Sequence, residues 1–536
     1  MKRKIEIYDT TLRDGTQGEG VSFTLEDKLA ITRRLDDCGI SCIEGGYPGS
    51  NPKDAEYFAR AQKLKLSQAT VVAFGMTARI GTRPSADKSL QLLLKAGTST
   101  VTIVGKTWDF HVKHALRVSY KANLENIHNT MAFLKKRVDR VIFDAEHFFD
   151  GFKANPQYAR ACLEAAADGG ADLLALCDTN GGSLPEQIIL GLTVASEIEV
   201  PLGIHCHDDS GLATANTLAG VEAGAVQVQG TINGIGERCG NTNLCTVVPN
   251  LQLKMNRRCV SAAQLRKFTD LSHFVYEAGN VEPYRGDPFT GASAFAHKGG
   301  MHVSAVQRNP LTYEHIEPRL VGNGQRILVS ELSGRSNVEA KAREFGLDLE
   351  DRADELKQLL SEVKELESIG FQFEGADASF ELLMRKSLKD KQQFFKLLGY
   401  RVSDDKPGEA EPTIAEATVK IEGPDGKVEH TAATGDGPVN ALDRALRKAL
   451  VNFYPEIDDV QLHDYKVRVL DSADGTASMV RVFIESGDSE SRWGTVGLSH
   501  NVVEASWQAL VDAMVYKILK DKKRSRQRKR TSPAAK

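Results

Sequence analysis

From residue 5 to about 258, short apolar runs alternate with amphipathic stretches. The runs Ile5–Tyr8, Cys42–Gly45, Thr70–Phe74, Thr100–Val104, Arg140–Phe143, Leu173–Cys177, Leu202–His205 and Val226–Gly230 read as buried strands. Between them, Leu25–Asp36, Asn155–Asp168, Pro185–Ser196 and Gly211–Ala223 carry helical patterns. The first opens with a cap signature, Thr24 followed three residues on by Asp27, with Leu25, Leu29 and Ile31 beside them. Eight strand–helix units over roughly 250 residues match the count and size of a (β/α)8 TIM barrel. An open doubly wound sheet is the alternative.

The pattern changes after residue 259. Val281–Gly286 reads as a loop, while Leu347–Leu366 repeats Leu356, Leu359, Leu360 and Val363 at helical spacing. Ala376–Phe395 reads as a second helix, and the polar stretch 401–411 as a linker. Beyond it, Thr413–Ile421 and Lys427–Ala433 predict a hairpin across Gly423-Pro424-Asp425-Gly426, followed by a helix over Val439–Phe453. The motif recurs loosely: strands at Asp464–Leu470 and Met479–Ser486, a turn at Asp474-Gly475, and a helix over Asn501–Leu519. The expected organisation is a barrel over 1–280, a helical connector over 281–400, an α+β domain over 412–520 and a disordered basic tail over 521–536.

Composition narrows this picture modestly. The 536 residues are 41% hydrophobic and 26% charged, with a net charge of −4, an ordinary soluble balance with no global field for nucleic acid. Lys520–Arg530 concentrates eight basic residues without interleaved aromatics, which reads as a solvated tail rather than a nucleic-acid contact. The eight cysteines are scattered and form no C-x-x-C pair, as expected for reduced thiols in a cytoplasm. No apolar stretch resembles a signal or a membrane span.

The candidate chemistry sits directly after the predicted strands. His205 and His207 lie two apart at the end of the seventh, so their side chains project together while Cys206 turns away. Two imidazoles on one face are half of a divalent-metal site. Asp14, in the Asp9–Gln17 motif after the first strand, can complete it across a barrel mouth, and Asn241 can add a neutral oxygen. Mixed nitrogen and oxygen ligation suits Mn²⁺, Mg²⁺, Zn²⁺ or Co²⁺. Arg13 can donate to a developing enolate or alkoxide; Glu146, after the fifth strand, can act as a base, orient one or pair with Arg13. Thr179, after the sixth, can hold a substrate carboxylate, so a chelating 2-oxo acid fits. The glycines of 234–240 run G-x-G-x-x-x-G, off the dinucleotide fingerprint, and read as room for close backbone approach.

The segments Asp9–Gln17, His205–Asp208 and Gly234–Asn241 resemble the signatures of the metal-dependent acyl-CoA-condensing barrels. That family includes the 2-isopropylmalate, homocitrate and citramalate synthases and the hydroxymethylglutaryl-CoA lyases. Residues 413–519 resemble the regulatory amino-acid-binding domain of the synthases, which the lyases lack. Within the family, Glu44–Pro52 and Gly236–Asn243 resemble the longer type of (R)-citramalate synthase.

The resemblance implies a set of roles. Asp14, His205, His207 and Asn241 match metal ligands. Arg13 matches the residue beside the ketone, and Glu146 and Thr179 match substrate-site positions. His302, in Gly-Gly-Met-His, matches a connector histidine implicated in acetyl-CoA activation, and Tyr313 falls near a family tyrosine. That histidine reaches the barrel of the other subunit in the family, which implies a homodimer. The implied reaction condenses acetyl-CoA with pyruvate to (R)-citramalate, with isoleucine as feedback inhibitor and neither nucleic acid nor membrane as partner. The alternatives are the same chemistry on another 2-oxo acid, as in 2-isopropylmalate or homocitrate synthase, and a carbon–carbon lyase.

Overall fold

The computed structural model describes residues 3–49, 51–329, 334–349, 352–390, 392–470 and 475–531. The chain divides into two compact units, Met1–Phe295 with Ile316–Gln325, and Ala296–His315 with Arg326–Lys536.

The first unit is built on eight parallel strands: β1 (Glu6–Asp9), β2 (Cys42–Gly46), β3 (Thr70–Met76), β4 (Thr100–Lys106), β5 (Arg140–Glu146), β6 (Leu173–Asp178), β7 (Leu202–Cys206) and β8 (Gln227–Gly230). They hydrogen-bond in chain order, and β1 pairs with β8 to close the barrel, which excludes the open sheet. Alternation along each strand explains the two apolar layers. Tyr8, Cys42, Val72, Ile142, Leu173 and Ala175 fill the barrel interior. Their sequence neighbours Ile7, Ile43, Ala73 and Leu174 face outward into the larger core shared with the helices. The helix Leu25–Asp37 starts where its sequence predicts, with Thr24 and Asp27 forming a reciprocal capping box. At the N-terminal end of the barrel, Arg140 makes a two-pronged bond to Glu6, with Nη1 at 2.7 Å and Nη2 at 2.8 Å.

In the second unit, β9 (Ala296–His297) pairs in parallel with β10 (Arg326–Ile327). Helices follow at Gly300–Arg308, Arg335–Glu344, Ala353–Ser368 and Asp377–Ser387. Two three-stranded antiparallel sheets complete it: β11 (Lys396–Asp405), β12 (Ile414–Glu422) and β13 (Val428–Gly435), then β14 (Gln461–Val469), β15 (Val480–Gly487) and β16 (Arg492–Ser499). Each sheet is followed by a helix, Pro438–Leu450 and Val502–Thr531. Val419 and Ile421 pack with Leu442, Leu446 and Leu450, and Val482 and Ile484 with Leu510 and Met514, in one core.

Four expectations are corrected here. The helix expected over Ala376–Phe395 ends at Ser387, and β11 occupies the first half of the expected linker. As an edge strand β11 leaves most of its side chains to solvent, so it lacks the apolar alternation of an interior strand. Strand β16 had no counterpart in the sequence reading. Residues 521–531, expected to be disordered, continue the last helix, whose Lys517 and Lys520 bind Asp488 and whose Lys523 binds Glu381. Lys and Arg are strong helix formers, and these anchors hold the turns that lead into the tail. Asp474 of the expected second turn and residues 532–536 of the tail lie outside the described residues. Among the described residues, no helix is long and apolar enough to cross a membrane.

Candidate metal centre and active site

The strand ends of a parallel barrel share one mouth, so the polar motifs that follow them converge. His205 is on β7 and His207 immediately follows it; Asp14 lies in the loop after β1. The three present ligand atoms within 4.8 Å of one another, and all three residues are buried. His205 Nε2 stands 3.3 Å from Asp14 Oδ2 and 3.3 Å from His207 Nε2, and His207 Nε2 lies 4.0 Å from the same carboxylate oxygen. Backbone bridging pairs His207 with Asn241, whose side-chain oxygen and nitrogen are both buried without a hydrogen-bond partner among the described residues. Buried polar atoms are rarely left so. An orphaned amide on the residue bridged to one of two imidazoles that face a carboxylate fits a divalent cation.

The electrostatics agree with that fit. Burial opposes ionisation of Asp14, but the adjacent Arg13 guanidinium and the two imidazoles override it and hold the carboxyl well below its usual range. Burial, then the neighbouring His205, pushes His207 down to about 4, which leaves it neutral and able to ligate at neutral pH. His205 is lowered by burial but raised overall by its bond to Asp14.

The loop carrying Asn241 depends on its glycines, Gly240 above all. Gly240 adopts φ of +98°, and a Cβ there would come within 2.1 Å of the Gly234 carbonyl oxygen. Only glycine allows that approach, which lets Asn241 N donate to Gly234 O at 2.9 Å.

Arg13 is held on three sides. Its Nε donates to Glu44 Oε2 at 2.5 Å, its Nη1 lies 3.5 Å from Asp14 Oδ1, and its guanidinium stacks 4.0 Å from the Phe74 ring centroid. Glu44 is fully buried and also accepts from Tyr8 Oη at 2.7 Å. It is therefore the anchor of Arg13. Glu146, at the end of β5, pairs with Lys106 Nζ at 2.5 Å, not with Arg13. Thr179 Oγ1 accepts from the backbone of His147 at 2.9 Å, tying the ends of β5 and β6 together. Arg238 grips the same rim through Thr179 O at 2.7 Å and Asp209 Oδ1 at 2.7 Å.

His302 and Tyr313 belong to the second unit, where their rings lie 4.3 Å apart and both are exposed. Sequence reasoning missed Lys106 as the partner of Glu146, and missed the rings of His111 and His147, 4.4 Å apart on the β4 and β5 loops. The only available signal was their position after strand ends, which many inert rim residues share.

Three family models cover the chain. HMGL-like matches residues 4–275, homocitrate synthase post-HMGL domain-like matches 289–370, and LeuA allosteric (dimerisation) domain matches 374–518. Full-length similarity is higher still. The chain is 55% identical to an (R)-citramalate synthase of Geobacter sulfurreducens, over 96% of this chain and 98% of that one. The chain belongs to the (R)-citramalate synthase family. An (R)-citramalate synthase of Aquifex aeolicus is 52% identical over 97% of this chain and 99% of its own. A 2-isopropylmalate synthase of Methanocaldococcus jannaschii is more distant, at 30% over 95% and 94%. As a member of the (R)-citramalate synthase family the chain is an enzyme of the transferase class.

Proposed function

We propose that this enzyme condenses acetyl-CoA with pyruvate and water to give (R)-citramalate and free CoA, the first step of a pyruvate route to isoleucine. One observation carries this reading: barrel, connector and C-terminal domain align end to end with an (R)-citramalate synthase at 55% identity. The metal ligands are Asp14, His205, His207 and Asn241, and the ion is Mn²⁺, Mg²⁺, Zn²⁺ or Co²⁺. When bound, such an ion polarises a 2-oxo acid's ketone as a Lewis acid.

The protein's own groups do the rest. Thr179 holds the pyruvate carboxylate. Arg13, fixed by Glu44 and Phe74, points its donors at the ketone oxygen, where negative charge develops as the new carbon–carbon bond forms. Glu146, paired with Lys106, orients or receives a proton at the rim. His302 and Tyr313 serve acetyl-CoA: His302 takes the methyl proton, and the resulting enolate carbon attacks the ketone carbon. Water then cleaves the thioester and the thiol departs. In this reading His302 acts on the barrel of a second subunit in a homodimer, consistent with a match to a dimerisation domain. Isoleucine binding in the C-terminal domain inhibits the reaction, and the eight free cysteines suit a reducing cytoplasm.

The test is thiol release from acetyl-CoA on adding pyruvate, with the product resolved on a chiral column. (R)-citramalate in a one-to-one ratio with thiol is the expected result; no pyruvate-dependent thiol would refute the reading.

A further inference from the structure

His205 is gripped on the side away from the metal centre. Its Nδ1 lies 3.0 Å from Gln229 Oε1. Gln229 is fully buried on β8, and its Nε2 reaches Asp144 Oδ1 at 3.0 Å and Gln227 Oε1 at 3.2 Å. Gln227, also fully buried, donates from Nε2 to Glu6 Oε2 at 2.7 Å, and Glu6 is the carboxylate held by Arg140. An unbroken line of hydrogen bonds thus runs up the barrel interior from the ion pair at its N-terminal end to a proposed metal ligand.

The direction of every bond in that line follows from its lower end. Arginine only donates, and an ionised carboxylate only accepts. Glu6 keeps its carboxyl below the usual range because Arg140 and Gln227 outweigh the cost of its burial. Gln227 must therefore turn its amide nitrogen to Glu6 and its oxygen to Gln229. Gln229 must then turn its nitrogen to Gln227 and Asp144 and its oxygen to His205. An amide oxygen accepts, so a hydrogen lies on His205 Nδ1; in the neutral ring this leaves Nε2, the atom nearest Asp14 and His207, as the bare nitrogen that can ligate. The Nδ1 of His207 is buried without any such partner among the described residues.

We propose that Gln229, oriented by Asp144 and by the Arg140–Glu6–Gln227 line, is the positioning residue that fixes the ligating tautomer of His205. This rests on the metal reading of Asp14, His205 and His207. Outer partners of ligating histidines commonly contribute 10–100-fold to metal affinity. The two histidines are consequently unequal: His205 has an outer acceptor that selects its ligating tautomer, while His207 Nδ1 has none among the described residues.

The test measures Mn²⁺ affinity of the full-length protein by electron paramagnetic resonance titration, without turnover. Gln229→Leu fills the space but cannot accept from Nδ1, and should weaken Mn²⁺ binding about 10–100-fold. Gln229→Glu keeps an acceptor for Nδ1, with Asp144 holding the proton between the two carboxyls, and should recover most of that loss. Equal affinity in Gln229→Leu and wild type would overturn the proposal, as would a Gln229→Glu as weak as Gln229→Leu. Wild-type protein that binds no divalent ion would instead refute the metal reading, and the inference with it. A measurement without any variant guards against misfolding: selectively ¹⁵N-labelled histidine in chelator-treated full-length protein at alkaline pH. There neutral His205 should carry its hydrogen on Nδ1; a hydrogen on Nε2 would overturn the proposal.

Discussion

Residue by residue, the metal centre is a balance of burial against charge. Asp14 stays ionised only because Arg13 and the imidazoles offset its desolvation. Replacing His205 or His207 by alanine removes a ligand of the proposed metal. Each variant should lose activity and retain less divalent metal after chelation and refilling, by at least the 10–100-fold that an outer partner contributes. Full metal occupancy with full activity would contradict that role. A second buried carboxyl makes a different prediction. Burial raises Asp9 to about 7, against the opposing bonds from Thr11. Between about pH 4 and 7 the folded chain therefore binds more protons at Asp9 than the unfolded chain does, and this residue's contribution to stability falls as pH rises. Asp9→Asn removes that titration. Relative to wild type the variant should gain stability from pH 5 to pH 8, by up to about 2.6 kcal/mol. Urea denaturation at both pH values measures it, and a pH-independent difference would contradict it. The sequence displayed His205 and His207 because strand alternation places them, and Asp14 because its motif follows a strand end; it hid the roles of Glu44 and Gln229, whose partners depend on how separate strands align.

At the scale of elements, the eight barrel strands were legible because each is a short apolar run closed by a polar motif. Strands β11 and β16 were not. In β16, glycines resemble turn signals, yet Gly494 sits inside the strand because a Cβ there would lie 1.8 Å from the Gly375 carbonyl oxygen. Glycine marks a close crossing of backbones here, not a turn. The connector helix Gly300–Arg308 carries His302, whose ring stacks on Tyr313. His297 Nε2 bonds Glu314 Oε1 at 3.0 Å and so ties the strand before that helix to the segment that bears Tyr313. If His302 serves acetyl-CoA, His302→Ala should lose turnover yet bind pyruvate within about threefold of wild type. Mixed with Asp14→Ala subunits, it should regain activity through hybrid dimers. Verified hybrids without activity would place the histidine's action within its own subunit.

For the whole molecule, a barrel that holds the chemistry is joined in one chain to a two-fold repeat of sheet and helix without a comparable ligand cluster among its described residues. That arrangement fits feedback control. Isoleucine should weaken pyruvate binding by roughly 5–150-fold, the usual range for coupled sites, and pyruvate should weaken isoleucine binding by the same factor. Calorimetric titration of each ligand with and without the other measures this; independent affinities would exclude isoleucine as the effector. The central claim is the choice of 2-oxo acid. Phe74, stacked on Arg13 and set edge-on to Tyr47 with centroids 6.1 Å apart, brings an aromatic wall to the guanidinium expected beside the ketone. In the proposed function this wall, with Val104 on β4, is set against the substrate side chain, where pyruvate presents only a methyl group. Each added methylene changes discrimination by about 1–3 kcal/mol, or roughly 10–200-fold. The most direct measurement is kcat/KM for pyruvate, 2-oxobutyrate and 2-oxoisovalerate at saturating acetyl-CoA. The account predicts pyruvate first, 2-oxobutyrate weaker and 2-oxoisovalerate rejected; a higher value for 2-oxoisovalerate than for pyruvate would contradict it.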